Sequence, residues 1–258
     1  MKFKKDFFDM LAKLRSGENF AYCRFSDGEI CIMQNEELKL SDNHVVMGEK
    51  RYNFGYSSDD HKHFEPGKHQ FLREALIDAY KYKAENYFVG GICQGCTCAS
   101  AQYADWMHNL YGSIDKNLTS ANLLVNSNYP LFVNNFIPVL KNRKLVFICS
   151  ENADLKQCQF EYIKDFRVGK NCIVNDHHLV SEIKTWIESE KIKNHVFLFS
   201  ASSLSEVLIY ELYKENKNNT YIDVGTTLHP YIGLDIQRDY LRAFMANVPH
   251  PDIIKSCV

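Results

Sequence analysis

Seven short apolar runs, separated for the most part by helical patterns, limit what this chain can fold into. They lie at residues 20–23, 87–92, 122–125, 145–149, 172–174, 195–199 and 221–224. Phe71, Leu72, Ala75, Leu76, Ala79 and Tyr80 recur at three- and four-residue spacing. So do Leu179, Ile183, Trp186 and Ile187, and again Leu204, Val207, Leu208 and Leu212, with Glu211 as one polar exception. A strand covered on both faces reads as a continuous apolar run, and intervening helices return the chain for parallel pairing. The pattern predicts an α/β fold: a single Rossmann-like domain over 1–258, its sheet mostly parallel, with helices on both faces. Asp6, Asp9 and Lys13 interrupt the apolar positions of the first fifteen residues, which predicts an amphipathic helix rather than a signal peptide.

The chain has 258 residues, 45% hydrophobic and 24% charged, enough for a substantial core and unlike a disordered segment. A net charge of −2 gives no bulk attraction to nucleic acid or anionic membrane. Basic clusters such as Lys141, Arg143 and Lys144 read as solvated faces. Nine cysteines, an odd number with several inside apolar runs, suit a reduced interior. No segment approaches the roughly 20 apolar residues of a membrane span, so a soluble cytoplasmic protein is expected. Cys93, Cys96 and Cys98 invite a zinc or redox reading, but no second CxxC completes a metal site, and a packed turn is favoured.

The chemistry concentrates in Arg24-Phe25-Ser26-Asp27-Gly28-Glu29, directly after the first apolar run. Two carboxylates one residue apart sit where a strand ends, around a glycine that permits a tight turn and close approach of a ligand. Such oxygens suit Mg²⁺ or Mn²⁺, which keep one or two protein carboxylates and share the rest of their shell with phosphates and water. Arg24 adds a charge shaped for phosphate. Ser26 and Glu29 also form a capping box, with Asp27 favouring the positive end of the following helix. The local residues leave both readings open.

Other strand exits are polar as well: Ser150 and Asn152 after the fourth run, Ser202 and Ser203 after the sixth. In open α/β sheets ligands bind at the carboxyl ends of strands, where helix N-termini offer N–H groups. A pocket along that edge is therefore expected, including Arg24, Ser150 and Ser202. Residues 40–67 carry His44, His61 and His63 with Asp59 and Asp60 and show no clean period. They read as an irregular insertion and a lid over the sheet edge.

The stretch 20–29 resembles the signature of the GT-D-fold glycosyltransferases, Arg-Phe-Gly-Asp-Gly-Glu, with Ser26 in place of the family glycine. Tyr221-Ile222-Asp223-Val224-Gly225 is similar to that family's late strand, but the acidic residues that follow there are replaced here by Thr226, Thr227, Leu228 and His229. The resemblance implies a nucleotide-sugar-dependent glycosyltransferase, with a UDP-sugar foremost as donor. Asp27 and Glu29 would hold Mn²⁺ or Mg²⁺, and Arg24, Ser26, Gly28, Arg51, Ser150, Asn152, Ser202 and Ser203 would surround the donor. His229 or Asp223 would serve as general base. A glycan or glycoprotein is the expected acceptor. The Lys-, Asn- and Ile-rich composition adds a hydroxymethylated base in phage DNA as a further option. A non-catalytic nucleotide-binding module and a cysteine-based redox or zinc protein are the alternatives.

Overall fold

The computed structural model describes residues 2–41, 44–53, 61–92, 101–112 and 115–248. The chain opens with α1 (Lys2–Ser16), β1 (Ala21–Arg24) and α2 (Asp27–Met33). An inserted group of strands follows: β2 (Leu38–Ser41), β3 (His44–Met47), β4 (Lys50–Asn53) and β5 (His63–Phe64). Then come α3 (Gln70–Lys81), β6 (Tyr87–Gly91), α4 (Ala101–Tyr111) and β7 (Leu118–Ser120). Short helices α5 (Tyr129–Leu131) and α6 (Ile137–Leu140) flank a π-helical turn. The second half contains β8 (Leu145–Ser150), β9 (Tyr162–Val168), α7 (Cys172–Asn175), α8 (Leu179–Ser189) and β10 (Val196–Phe199). It finishes with α9 (Leu204–Glu215), β11 (Thr220–Asp223) and α10 (Asp239–Met245).

Seven strands form one sheet in the order β7-β6-β1-β11-β10-β8-β9, and every adjacent pair is parallel. Strand alternation divides the interior into two cores. Ala21, Cys23, Val146, Ile148, Phe197, Phe199 and Tyr221 face one, under α2, α3, α4, α8 and α9. Phe20, Tyr22, Leu145, Phe147, Val196, Leu198 and Ile222 face the other, under α1, α5, α6 and α10. The α/β, mostly parallel architecture expected from the apolar runs is thus present, with helices on both faces. Its centre is the pair β1 and β11, which come from opposite ends of the chain and join the β6–β7 half to the β8–β11 half.

Three expectations need correction. Residues 122–125 are not a strand: β7 lies just before them, and after Ala121 the chain turns so that Leu123, Leu124 and Val125 fill the second core. Residues 172–174 belong to the short helix α7, entered through Asn171 in the left-handed region (φ 51°). The sheet edge is instead β9, whose Lys164, Asp165 and Arg167 broke any apolar run; charge on an edge strand discourages pairing with other chains. The 40–67 insertion is not irregular throughout. Its described part forms an antiparallel sheet, β4-β3-β2-β5, with Leu38 and Phe64 buried in the first core. Asn171 fastens this sheet to the main body: its Oδ1 accepts from His63 N at 2.9 Å and its Nδ2 donates to His63 O at 3.3 Å.

Gly90, on β6, explains one glycine of the sequence. A Cβ there would meet the Ser120 carbonyl oxygen and the Tyr22 ring at 3.0 Å, and the Tyr22 hydroxyl donates to that same carbonyl at 2.8 Å. Gly90→Ala should therefore overpack the β1–β6–β7 junction, lowering stability by about 1–3 kcal/mol in urea titrations. An unchanged midpoint would show that Tyr22 can move aside at no cost.

Candidate functional site

Phe25 anchors the turn after β1. It is fully buried, its ring meets Tyr80 edge-on at 4.9 Å, and its N–H donates to Gly90 O at 2.8 Å. With Phe25 facing inward, the alternation of the extended chain sends Arg24 the other way, toward β11. Arg24 Nε lies 3.3 Å from Asp223 Oδ2, so the last residues of the two central strands form an ion pair. Asp223 Oδ1 accepts from Gly225 N at 2.8 Å. Gly225 has φ +51°, and a Cβ there would run into the Arg24 guanidinium, so both backbone and space require glycine.

Asp27 and Glu29 differ sharply although only Gly28 separates them. Asp27 is exposed, and Gly28 N donates to its Oδ1 at 3.1 Å. Glu29 is buried, with all its acceptor positions engaged. Its Oε2 accepts from Ser26 N and Ser26 Oγ, each at 3.0 Å; its Oε1 accepts from Ser203 Oγ and from Lys62 Nζ at 3.3 Å. Lys62 also donates to Ser203 Oγ at 2.5 Å. Glu29 reaching back to Ser26 N is the return half of a capping box, so this carboxylate has a structural task whatever else it does. Glu29, saturated by an ammonium and three further donors, has no acceptor position left for a divalent ion, and among the described residues no group of three or more His, Cys, Asp and Glu side chains could hold one.

Two residues of this site escaped the sequence reading. Lys62 arrives from the inserted sheet, 33 positions from Glu29, and its own carbonyl accepts from Leu40 N at 2.7 Å. Glu206, in the first turn of α9, is 2% exposed, and among the described residues its Oε2 has no hydrogen-bond partner. Burial, followed by the charges of Glu29 and Asp223, pushes its carboxyl well above the usual range. A charged residue among the apolar positions of an otherwise buried helix was the available signal for Glu206; nothing in the sequence pointed to Lys62.

The remaining expected site residues are spread along the same sheet edge. Ser203 is buried against Glu29, while Ser202 has φ +49° in the turn before α9. Ser150 ends β8, where its Oγ accepts from Asn152 N at 3.2 Å, and Asn152 is exposed. These two lie three strands from Arg24, with β10 and β11 between. Asp223 is 3% exposed on the floor. His229 begins a short 3₁₀ turn after β11, its Nδ1 at 3.2 Å from Asp235 O. A carbonyl only accepts, so Nδ1 is the donor in this contact. Arg51 lies on β4, opposite Val46 in register. Cys93, Cys96 and Cys98 lie outside the described residues. Among the described residues no helix is long and apolar enough to cross a membrane.

The electrostatics of Glu29 can be checked through stability. Burial alone would raise its carboxyl, but the Lys62 charge and the bonds from Ser203 and Ser26 outweigh it and hold the folded value at about 2, against an ordinary 4.5. Protons then prefer the unfolded carboxyl, so stability from Glu29 is complete above about pH 4.5 and drains as pH falls toward 2. Acid denaturation of Glu29→Gln should lose this part of the pH dependence, on the order of 3 kcal/mol across that window. Parallel curves for the variant and the parent would contradict the buried ion pair.

No family model and no curated protein matches the sequence. Solved structures do match. One, of conserved domain of unknown function 1792, is described as having a distinct glycosyltransferase fold. It is 14% identical, with TM-score 0.56 over 94% of this chain and 81% of its own. A glycosyltransferase (DUF1792) from Streptococcus sanguinis is 11% identical, with TM-score 0.60 over 97% and 91%. A selenomethionine-substituted DUF1792 structure gives 14% and 0.55 over 98% and 88%. With its parallel seven-stranded sheet and the site at the ends of β1 and β11, this chain has a glycosyltransferase-like α/β fold.

Proposed function

We propose that this protein is a glycosyltransferase that moves a sugar from a nucleoside diphosphate donor, foremost a UDP-sugar, to a hydroxyl acceptor. The observation that carries the reading is an exposed carboxylate, Asp27, at the central strand ends of a glycosyltransferase-like sheet, directly above a buried and charge-balanced base. Breaking a glycosyl–phosphate bond leaves a diphosphate whose charge must be stabilised, and a hydroxyl acceptor must lose its proton.

This chain's own residues can meet both demands. Burial is the largest single influence on Arg24 and acts against its charge, but Asp223 together with Tyr22, Tyr240 and Glu206 outweighs it, so Arg24 presents a fixed positive charge at the end of β1. Ser150 and Ser202 extend the edge toward β8 and β10, where the rest of the donor would lie. Arg51, on the inserted sheet, is the proposed contact from above. A Mn²⁺ or Mg²⁺ held by Asp27 would supply further Lewis-acid charge against the leaving diphosphate. His229 is the proposed base; Asp223 is committed to Arg24 and Gly225. A glycan or glycoprotein is the proposed acceptor.

The test begins with thermal shifts over a panel of nucleotide sugars, each with Mn²⁺, because a bound donor raises the melting temperature according to its affinity. Metal-dependent donor hydrolysis or transfer is expected. Nucleotide binding without turnover would favour a non-catalytic module instead. Asp27→Ala should reduce turnover by orders of magnitude while shifting stability by no more than about 0.5 kcal/mol, because its side chain is exposed. Glu29→Ala should cost about 3–5 kcal/mol by leaving Lys62 buried without its partner. Full turnover in Asp27→Ala would defeat the site assignment. For the base, His229→Gln should lower kcat about 10²–10⁴-fold and remove the acidic limb of the pH–rate profile; an unaltered profile would move the base elsewhere.

A further inference from the structure

We propose that Lys62 is the resident cation of the Glu29 carboxylate. It fills the position that a two-carboxylate reading of Asp27 and Glu29 gives to a divalent ion, and it leaves Asp27 as the carboxylate of this turn open to one. The assignment takes the purpose of that ion from the transferase reading, but it concerns the metal-binding chemistry of the chain itself.

Four observations carry it. An ionised carboxylate offers about four lone-pair sites. Glu29 uses them on Ser26 N, Ser26 Oγ, Ser203 Oγ and Lys62 Nζ, so a metal could bind only by displacing a donor. Lys62 is itself buried, 5% exposed, and its ammonium is fixed by Ser203 Oγ as well as by Glu29. Gly28 shows how closely the ammonium approaches the turn: a Cβ there would lie 3.2 Å from Nζ. The fourth observation is charge. Arg24 pairs with Asp223 and Lys62 with Glu29, so a divalent ion beside Glu29 would add two like charges next to a buried ammonium. Asp27, on the other side of Gly28, is exposed and meets none of these costs.

The inserted sheet thus gains a role. Lys62 directly precedes β5, which Asn171 ties to the main body, so the placement of the sheet decides whether the ammonium sits on Glu29. Removing the Lys62 charge should free Glu29 to join Asp27 around a metal. A purely structural ion pair would change stability on mutation and leave metal affinity untouched.

The experiment titrates the full chain with Mn²⁺ in the absence of donor and follows free Mn²⁺ by electron paramagnetic resonance. Circular dichroism confirms that each variant is folded. Glu29→Gln should bind Mn²⁺ within twofold of the parent. Lys62→Met should bind at least tenfold more tightly, and the double variant Lys62→Met/Glu29→Gln should lose that gain. Should Lys62→Met not fold, Lys62→Gln, which keeps a donor without the charge, carries the same comparison. A tenfold loss in Glu29→Gln, or no gain on removing the Lys62 charge, overturns the assignment. Turnover is scored separately: this Mn²⁺ pattern in a chain that turns over no nucleotide sugar keeps Lys62 in place and sinks the transferase reading. Turnover with the opposite Mn²⁺ pattern does the reverse.

Discussion

The need to bury two positive and two negative charges where β1 and β11 end shapes the rest of this site. Arg24 faces Asp223 across the two central strands, and Lys62 faces Glu29 across the turn that follows. Unit charges about 4 Å apart attract by about 4 kcal/mol at the effective dielectric of a protein near its surface, a gain that desolvation can cancel. Such pairs persist when hydrogen bonds complete them, and here they do. Ser26 and Ser203 finish the shell of Glu29, and Gly225 N completes Asp223. Glu206 would add a third negative charge, and burial together with Glu29 and Asp223 pushes its carboxyl well above the usual range. The glycines follow from this arrangement. Gly28 clears the Lys62 ammonium and Gly225 clears the Arg24 guanidinium, so both are set by the space that buried cations occupy.

Where both faces of a strand are covered, the fold was legible in the sequence. The runs at 145–149, 195–199 and 221–224 align closely with β8, β10 and β11, since a central parallel strand has no polar face to confuse the pattern. The errors fall at the edges and in the insertion. Tyr162–Val168 is an edge strand, and its charges, useful against unwanted pairing, concealed it. The apolar run at 122–125 marks burial without extension, because Leu123 and Leu124 pack from a turn. The inserted strands are two to four residues long, too short for alternation to stand out from a loop.

The site divides on different grounds. A motif exposes what is contiguous, so the turn from Arg24 to Glu29 could be read directly, and so could the two opposed interpretations of its carboxylates. Proximity across 33 residues to Lys62, or across 199 to Asp223, leaves no local trace. The choice between capping and ligand binding could not be made from the motif, because the deciding facts are the exposure of Asp27 and the saturation of Glu29. In the structure the two readings attach to different residues. Glu29 carries the structural role, and Asp27 remains open to solvent.

This division has a consequence for how the inserted sheet relates to the parallel one. An insertion that only covered a pocket would meet it through apolar contacts, as Leu38 and Phe64 do in the first core. Lys62 makes a connection of another kind, because its ammonium is part of the charge balance beneath the turn. Moving the insertion away would leave Glu29 buried opposite no cation, so the sheet is held down by electrostatics as well as by packing. The same link runs in reverse. Any ligand that changes the charge at the turn acts on Lys62, and through it on β5 and its Asn171 tether.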